Sequence, residues 1–159
     1  MQTISTKNPP SVVELDRLDL RIIGVLAVDG RISVTDLAAQ VGLSKTPCLA
    51  RMRRLIDNGV ITGFRATFDP ARLGLEHVAF TELKLSDTRE AALAEFNRAV
   101  RDIREVEECH MIASSFDYLL KIRTSDIRSY RAVLGERISA LPHVASTSTF
   151  VAMEAVKEK

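Results

Sequence analysis

Apolar residues in the first sixty positions recur at helical spacing, and those further along alternate with polar ones, so the chain reads as a helical unit followed by a mixed one. Leu15, Leu18, Leu20, Ile22, Ile23 and Leu26 form the buried stripe of a helix predicted over 15–28, which Asp29-Gly30 stops. Ser33, with Asp36 three residues on in a box-like arrangement, opens a second helix. A third runs from about Ser44 to Ile56 before Asp57-Asn58-Gly59 ends it. Residues 60–68 then read as a short hairpin or a single extended strand, which predicts a winged form of the unit.

Past Asp69-Pro70 the period changes. Residues 77–85 alternate, and 89–103 return to helical spacing through Ala92, Leu93, Phe96, Ala99, Val100 and Ile103. Strands are predicted over 106–113, 116–122 and 144–156, with a helix over 126–140 between the last two. The order β-α-β-β-α-β is satisfied by two helices on one face of a four-stranded antiparallel sheet with right-handed crossovers, the ferredoxin-like arrangement. The fold class is therefore α+β: a flexible arm over 1–14, a winged helix-turn-helix over 15–69 and a ferredoxin-like domain over 70–159. The far sheet face, assigned Val78, Phe80, Ile122 and Phe150, is left uncovered, which predicts self-association.

The stretch from Leu37 to Leu55 carries the most chemistry. Small Ala38 lets two helices approach, Gly42 suits the left-handed conformation of a sharp turn, and Leu37, Val41, Leu43 and Cys48 supply an apolar seam. At roughly 100° per residue, Cys48, Met52, Leu55 and Ile56 share the core arc of the third helix, with Leu49 at its edge. Thr46, Pro47, Ala50 and Arg54 point outward, flanked by Lys45, Arg51 and Arg53. Ser44 is placed to cap this helix, and Pro47 fits its first turn, where a missing N–H costs nothing. Short side chains at the tip can approach base edges while guanidiniums bind phosphates, so the pattern is that of a DNA reader. The candidate contacts are Ser44, Lys45, Thr46, Pro47, Ala50, Arg51, Arg53, Arg54 and, beyond the helix, Arg65.

Charge sharpens this reading. The chain is nearly neutral at +1, yet nine Lys and Arg stand against six Asp and Glu up to Arg65, and thirteen against fifteen after it. Between Ser44 and Arg65, five basic residues face only Asp57, a local electrostatic footprint for double-stranded DNA.

With 159 residues, 46% hydrophobic and 27% charged, the composition is that of a soluble globular protein. No apolar run approaches the ~20 residues needed to cross a bilayer, and the first eleven residues lack the basic-then-apolar order of a signal peptide, so no membrane association and a cytoplasmic location are expected. Cys48 and Cys109 make no disulfide framework and read as small buried hydrophobes. Catalysis has little support. Adjacent Cys109 and His110 on a strand face opposite sides of the sheet, and His77 and His143 have no carboxylate or cysteine at ligand spacing. No catalytic residue, metal site or cofactor is assigned, and the chain is expected not to be an enzyme.

Several segments, taken in order, carry a resemblance. They are Leu15-Asp16 with Asp19 and Ile22-Ile23, Asp29-Gly30-Arg31, Val41-Gly42-Leu43-Ser44, Thr46-Pro47-Cys48 with Arg51, Arg53-Arg54-Leu55 and Gly59-Val60-Ile61. Glu108-Cys109-His110, Phe116-Asp117-Tyr118-Leu119-Leu120 and Val151-Ala152-Met153-Glu154 continue the series. Over 15–156 the chain resembles the Lrp/AsnC family of feast/famine transcription regulators, and within it is similar to the regulators of proline utilisation.

That resemblance implies a sequence-specific regulator of amino-acid metabolism, with a winged helix-turn-helix joined to an amino-acid-sensing domain. It also implies homo-dimers built through the sheets and octamers of four dimers around which DNA can wrap. The effector, proline, leucine or a similar small amino acid, would lie between dimers, lined by Ile112, Ser114, Ser115, Asp117, Tyr118 and Leu119 and by Thr147, Thr149 and Val151 of the last strand. The chain departs from the family at Ser114-Ser115, where a glycine often opens the turn and where serine bears a backbone cost for positive φ.

Two readings of Asp117 stand side by side. Its carboxylate could accept from an effector's ammonium or iminium group, or it could tie the turn by accepting local backbone N–H groups. An architectural protein that wraps DNA without an effector is the alternative to the sensing regulator.

Overall fold

Two carboxylates start the first helix. In the computed structural model, which describes residues 12–158, Asp16 caps α1 (Arg17–Val28) by accepting from Leu18 N at 2.8 Å and Asp19 N at 2.9 Å, and Asp19 returns the bond by accepting from Asp16 N at 3.0 Å. The arm expected over 1–14 lies, up to residue 11, outside the described residues. Leu20, expected in the buried stripe, is exposed, and Asp19 beside it is fully buried. Apolarity alone does not decide which face turns inward once a carboxylate has partners inside.

Ser33 opens α2 (Val34–Val41), its hydroxyl accepting from Asp36 N at 3.1 Å and donating to the Asp36 carboxylate at 2.6 Å. Gly42 closes the helix at φ 76°, a conformation a side chain would strain, and the chain swings into α3 (Lys45–Asp57). Ser44 occupies the N-cap position of α3, but its side chain makes no capping bond, contrary to expectation. Ile22, Leu37, Ala38, Val41, Cys48 and Leu55 form the core of this unit. Ile56, expected in the core arc, is exposed. Asn58 N bonds Arg54 O and Gly59 N bonds Ile56 O, and Val60 N and Ile61 N both turn back to Leu55 O at 2.9 and 3.0 Å, so the four donors after α3 close the helix end. No paired strand follows over 60–69, and the hairpin alternative for this segment does not form.

The chain divides between Thr67 and Phe68. The second unit holds β1 (His77–Leu85), α4 (Glu90–Val100), β2 (Val106–Met111), β3 (Tyr118–Thr124), α5 (Ile127–Val133) and β4 (Val144–Val151). Its sheet has the order β2-β3-β1-β4 with every neighbouring pair antiparallel, as the ferredoxin-like reading requires. The helix expected over 126–140 is α-helical only through Val133 and widens to a π-helical turn over Leu134–Ile138. β4 stops at Val151, five residues short of expectation. Ala152 N makes its last bond to Val78 O, and β1 offers only one residue beyond that point.

Alternation along β1 and β3 sends Ala79, Thr81, Leu83, Leu85, Tyr118, Leu120 and Ile122 inward against Phe96, Val100, Tyr130 and Ile138. Ile122, assigned from sequence to the uncovered face, is thus fully buried, because the register pairs it with Ala79 and not with Val78. The other face carries Phe80 opposite Phe150, both exposed, together with Lys84, Lys121 and Arg123. It is more polar than expected: Glu107 and Glu158 both bridge Lys121 and Arg123, which fastens the tail after β4 to β3.

Candidate DNA-reading helix and effector turn

The exposed side of α3 carries the side chains the angular reading put there. Lys45, Thr46, Pro47, Ala50 and Arg53 are all exposed, and Lys45, Arg53 and the exposed Arg65 form no salt bridge among the described residues. Short side chains at the start of the helix and free cations along it suit close approach to a groove flanked by phosphates.

Arg51 and Arg54 behave differently. Arg51 Nη1 donates to Asp16 Oδ2 at 2.6 Å and to Asp19 Oδ1 at 2.9 Å, and Arg54 Nη2 donates to Asp19 Oδ2. Both arginines lie off the apolar arc, as expected, yet both anchor α3 to α1. Burial of Asp19 works to raise its pKa, but the Asp16 N–H and the two guanidiniums outweigh this and hold it below the usual carboxylate range. The Asp19 N–H and Arg51 likewise lower Asp16, and the paired carboxylates raise Arg51. Sequence reasoning missed this cluster, although the capping-box spacing from Asp16 to Asp19 was a signal for half of it.

The turn between β2 and β3 is tied to the end of β1. Ile112 N donates to Asp117 O at 2.9 Å, and Asp117 N donates to Leu83 O at 2.8 Å. The Asp117 carboxylate accepts from Leu85 N at 2.8 Å and Lys84 Nζ at 3.2 Å. The Leu85 N–H, and then Lys84, lower its pKa despite partial burial. His143 is the only non-glycine residue at positive φ among the described residues, so Ser114 and Ser115 make the turn without the cost expected of them.

The residues named for the effector do not converge in one chain. Ser115 and Phe116 line a cleft of about 180 Å3 with Glu82, Lys84, Ser146 and Ser148, and Ser114 is exposed beside it in the same turn. Thr147, Thr149 and Val151 pair across β1 with Leu83, Thr81 and Ala79 on the helix-covered side, where Thr149 Oγ1 hydrogen-bonds the Tyr130 hydroxyl. Tyr118 is core, packed on Phe96 with ring centroids 4.3 Å apart, and partly buried Leu119 has the opposite parity. Glu82, Lys84, Ser146 and Ser148 were missed because only strand register brings them to the turn. A larger cavity of about 670 Å3, lined by Phe68, Leu73, Leu75, Arg123, Ser129 and Val133 among others, lies at the other end of the strands.

Cys109 pairs with Leu120 and His110 with Leu119, so their side chains leave opposite faces of the sheet. Burial raises both cysteine thiols, and no group of three metal-ligating side chains occurs among the described residues.

A basic helix presented by a helix-turn-helix, and a separate βαββαβ unit with a polar cleft at one turn, define a DNA-binding protein with a second domain suited to a small ligand. Residues 15–62 match the winged helix-turn-helix DNA-binding family and residues 78–159 match the Lrp/AsnC ligand binding domain. The chain belongs to the Lrp/AsnC family of transcriptional regulators.

Relatives share most of its length. A proline dehydrogenase transcriptional activator of Rhizobium radiobacter is 65% identical over 91% of this chain and 93% of its own, and one of Rhodobacter capsulatus is 58% identical over 91% and 94%. The leucine-responsive regulatory protein of Escherichia coli is 44% identical over 91% and 88%. Among solved structures, an AsnC family regulator from Agrobacterium tumefaciens superposes with a TM-score of 0.86 at 32% identity, covering 91% of this chain and 94% of that one. A Neisseria meningitidis regulator in complex with L-methionine gives 0.85 at 26%, with the same coverage. The chain is thus a DNA-binding transcriptional regulator with a ligand-binding domain, and no helix among its described residues is long and apolar enough to cross a membrane.

Proposed function

We propose that this chain activates transcription of a proline dehydrogenase gene when proline binds its C-terminal unit. The identity of 65% and 58% to two regulators named for that activity, over 91% of the chain in each case, carries the reading. Thr46, Pro47 and Ala50 meet base edges, Ser44, Lys45, Arg53 and Arg65 meet phosphates, and Arg54 reaches DNA from its anchor on Asp19. Ser114 and Ser115 receive the effector at the β2–β3 turn, and Asp117 shapes that turn through its bonds to Lys84 and Leu85. Ile112, Leu119, Thr147, Thr149 and Val151 complete the site where dimers meet.

Dimers form through the sheet face bearing Phe80 and Phe150, four dimers make an octamer, and the protein works in the cytoplasm without catalysing a reaction. Calorimetric titration with proline, leucine, asparagine and methionine in turn is the test. Saturable heat with proline at the lowest concentration is the expected result. Tighter binding of another amino acid would reassign the effector, and no binding by any of them would leave a DNA-wrapping protein without a sensor.

A further inference from the structure

Asp19 is the only fully buried charged side chain among the described residues, and everything that compensates it comes from two places. One is the Asp16 N–H that closes the cap of α1, and the other is the helix assigned to DNA. Arg51 and Arg54 are three residues apart on α3, so they lie side by side on its surface, and one carboxylate set between them holds both. They are not held equally. Arg51 is three-quarters buried and bonds two carboxylates, whereas Arg54 is half-exposed and bonds only Asp19, with its other guanidinium donors making no bond among the described residues.

We propose that Asp19 is a positioning residue for DNA recognition: it fixes the Arg54 guanidinium against α1 so that its free donors meet DNA in one register, and together with Asp16 it commits Arg51 to that scaffold and not to DNA. The proposal rests on the reading of α3 as the DNA-contacting helix. A free arginine loses the freedom of a long side chain when it docks, and one already held by a second group loses less. The same carboxylate subtracts charge from a surface facing phosphates, so it weakens attraction to any DNA while favouring the one sequence that fits the fixed guanidinium. Asp19 therefore acts on the ratio of specific to non-specific affinity, which a residue that merely stabilises the fold does not.

The test uses the full chain and fluorescence anisotropy on two labelled duplexes, the promoter fragment of the host's proline dehydrogenase gene and a shuffled duplex of equal length and composition, across a salt series. For Asp19→Asn the promoter affinity is expected to fall about tenfold, the size of one lost arginine contact. Affinity for the shuffled duplex should rise, with a salt slope steeper by about one unit as the freed Arg54 finds a phosphate while Arg51 stays on Asp16. Equal falls on both duplexes, or no change on either, would overturn the proposal. Arg54→Lys decides the matter if Asp19→Asn does not fold: it keeps the charge but loses the fork, so the promoter affinity should drop about tenfold while the shuffled affinity holds. An unchanged ratio in Arg54→Lys would refute the positioning role. A wild-type chain that binds both duplexes equally has no specificity for Asp19 to set and would overturn the proposal, whereas one that binds neither would overturn the assignment of α3 itself.

Discussion

Replacing Asp117 by asparagine separates two roles for the turn. The wild-type carboxylate accepts from Leu85 N at 2.8 Å and from Lys84 Nζ at 3.2 Å, and Leu85 is buried. Asparagine can keep an oxygen on Leu85 N, but that bond falls from charge-assisted to neutral strength, a loss of about 1 kcal/mol. The Lys84 contact is half-exposed, so losing it costs about 0.2–1 kcal/mol more. A total near 1.5 kcal/mol should lower the melting temperature of a unit this size by roughly 6–12 °C.

The effect depends on pH with a definite sign. Because the folded pKa of Asp117 lies below its unfolded value near 3.8, its contribution is complete above that value and is lost as pH falls through the folded one. Wild type and Asp117→Asn should therefore differ at pH 7 and converge in strong acid. Thermal unfolding of both proteins at pH 7 and through a descending acid series, beside calorimetric titration with proline, is the assay. A variant that melts with wild type while losing all affinity for proline would refute the anchoring role and place the carboxylate on the effector.

Other expectations follow from single contacts. Tyr130→Phe removes the hydroxyl that bonds Thr81 Oγ1 at 2.9 Å and Thr149 Oγ1, leaving the buried Thr81 oxygen unpaired, and should cost about 1–3 kcal/mol by urea titration. A Phe80→Glu and Phe150→Glu double variant should fold but sediment as a smaller species, since the two rings face each other on the exposed side of β1 and β4. Retention of the wild-type assembly would move the interface elsewhere. Arg53→Ala should weaken binding to every duplex and flatten the salt slope by about one unit, whereas Arg51→Ala should lower stability and leave the salt slope as it is, because it removes one of the two guanidiniums that offset buried Asp19.

Local pattern revealed much of the fold. The bounds of 77–85 are legible because alternation holds from Ala79 to Leu85, where one strand face is covered and the other is not, although Val78 before it is buried as well. Gly42 and Ser33 were legible for the same kind of reason, each meeting a need within four residues of itself. What stayed hidden depends on pairing across the chain. Asp19 sits inside because of arginines 32 and 35 residues away, which no helical stripe reveals.

Strand register accounts for the rest. Of the four residues assigned to the uncovered face, Phe80 and Phe150 are exposed, but Val78 is buried and the pairing of Ile122 with Ala79 puts that isoleucine under the helices. The pairing of Ser146 and Ser148 with Lys84 and Glu82, and not the parity of Thr147 and Thr149, decides which β4 side chains share the cleft with Ser115. Phe116 and Asp117 read as strand because one is aromatic and both precede an apolar run, yet β3 begins only at Tyr118, after the Asp117 carboxylate has bonded Leu85 N.

The most direct measurement is the dissociation constant of the full chain for the promoter fragment of the host's proline dehydrogenase gene, followed by anisotropy as proline is added. If the C-terminal unit senses proline and the helix-turn-helix answers, the constant must shift with proline and saturate. By linkage the DNA must change the affinity for proline by the same factor, of the order of 5–150-fold for a typical coupling. A constant that proline and every other amino acid leave unmoved, in a protein that still binds the fragment, would contradict the account.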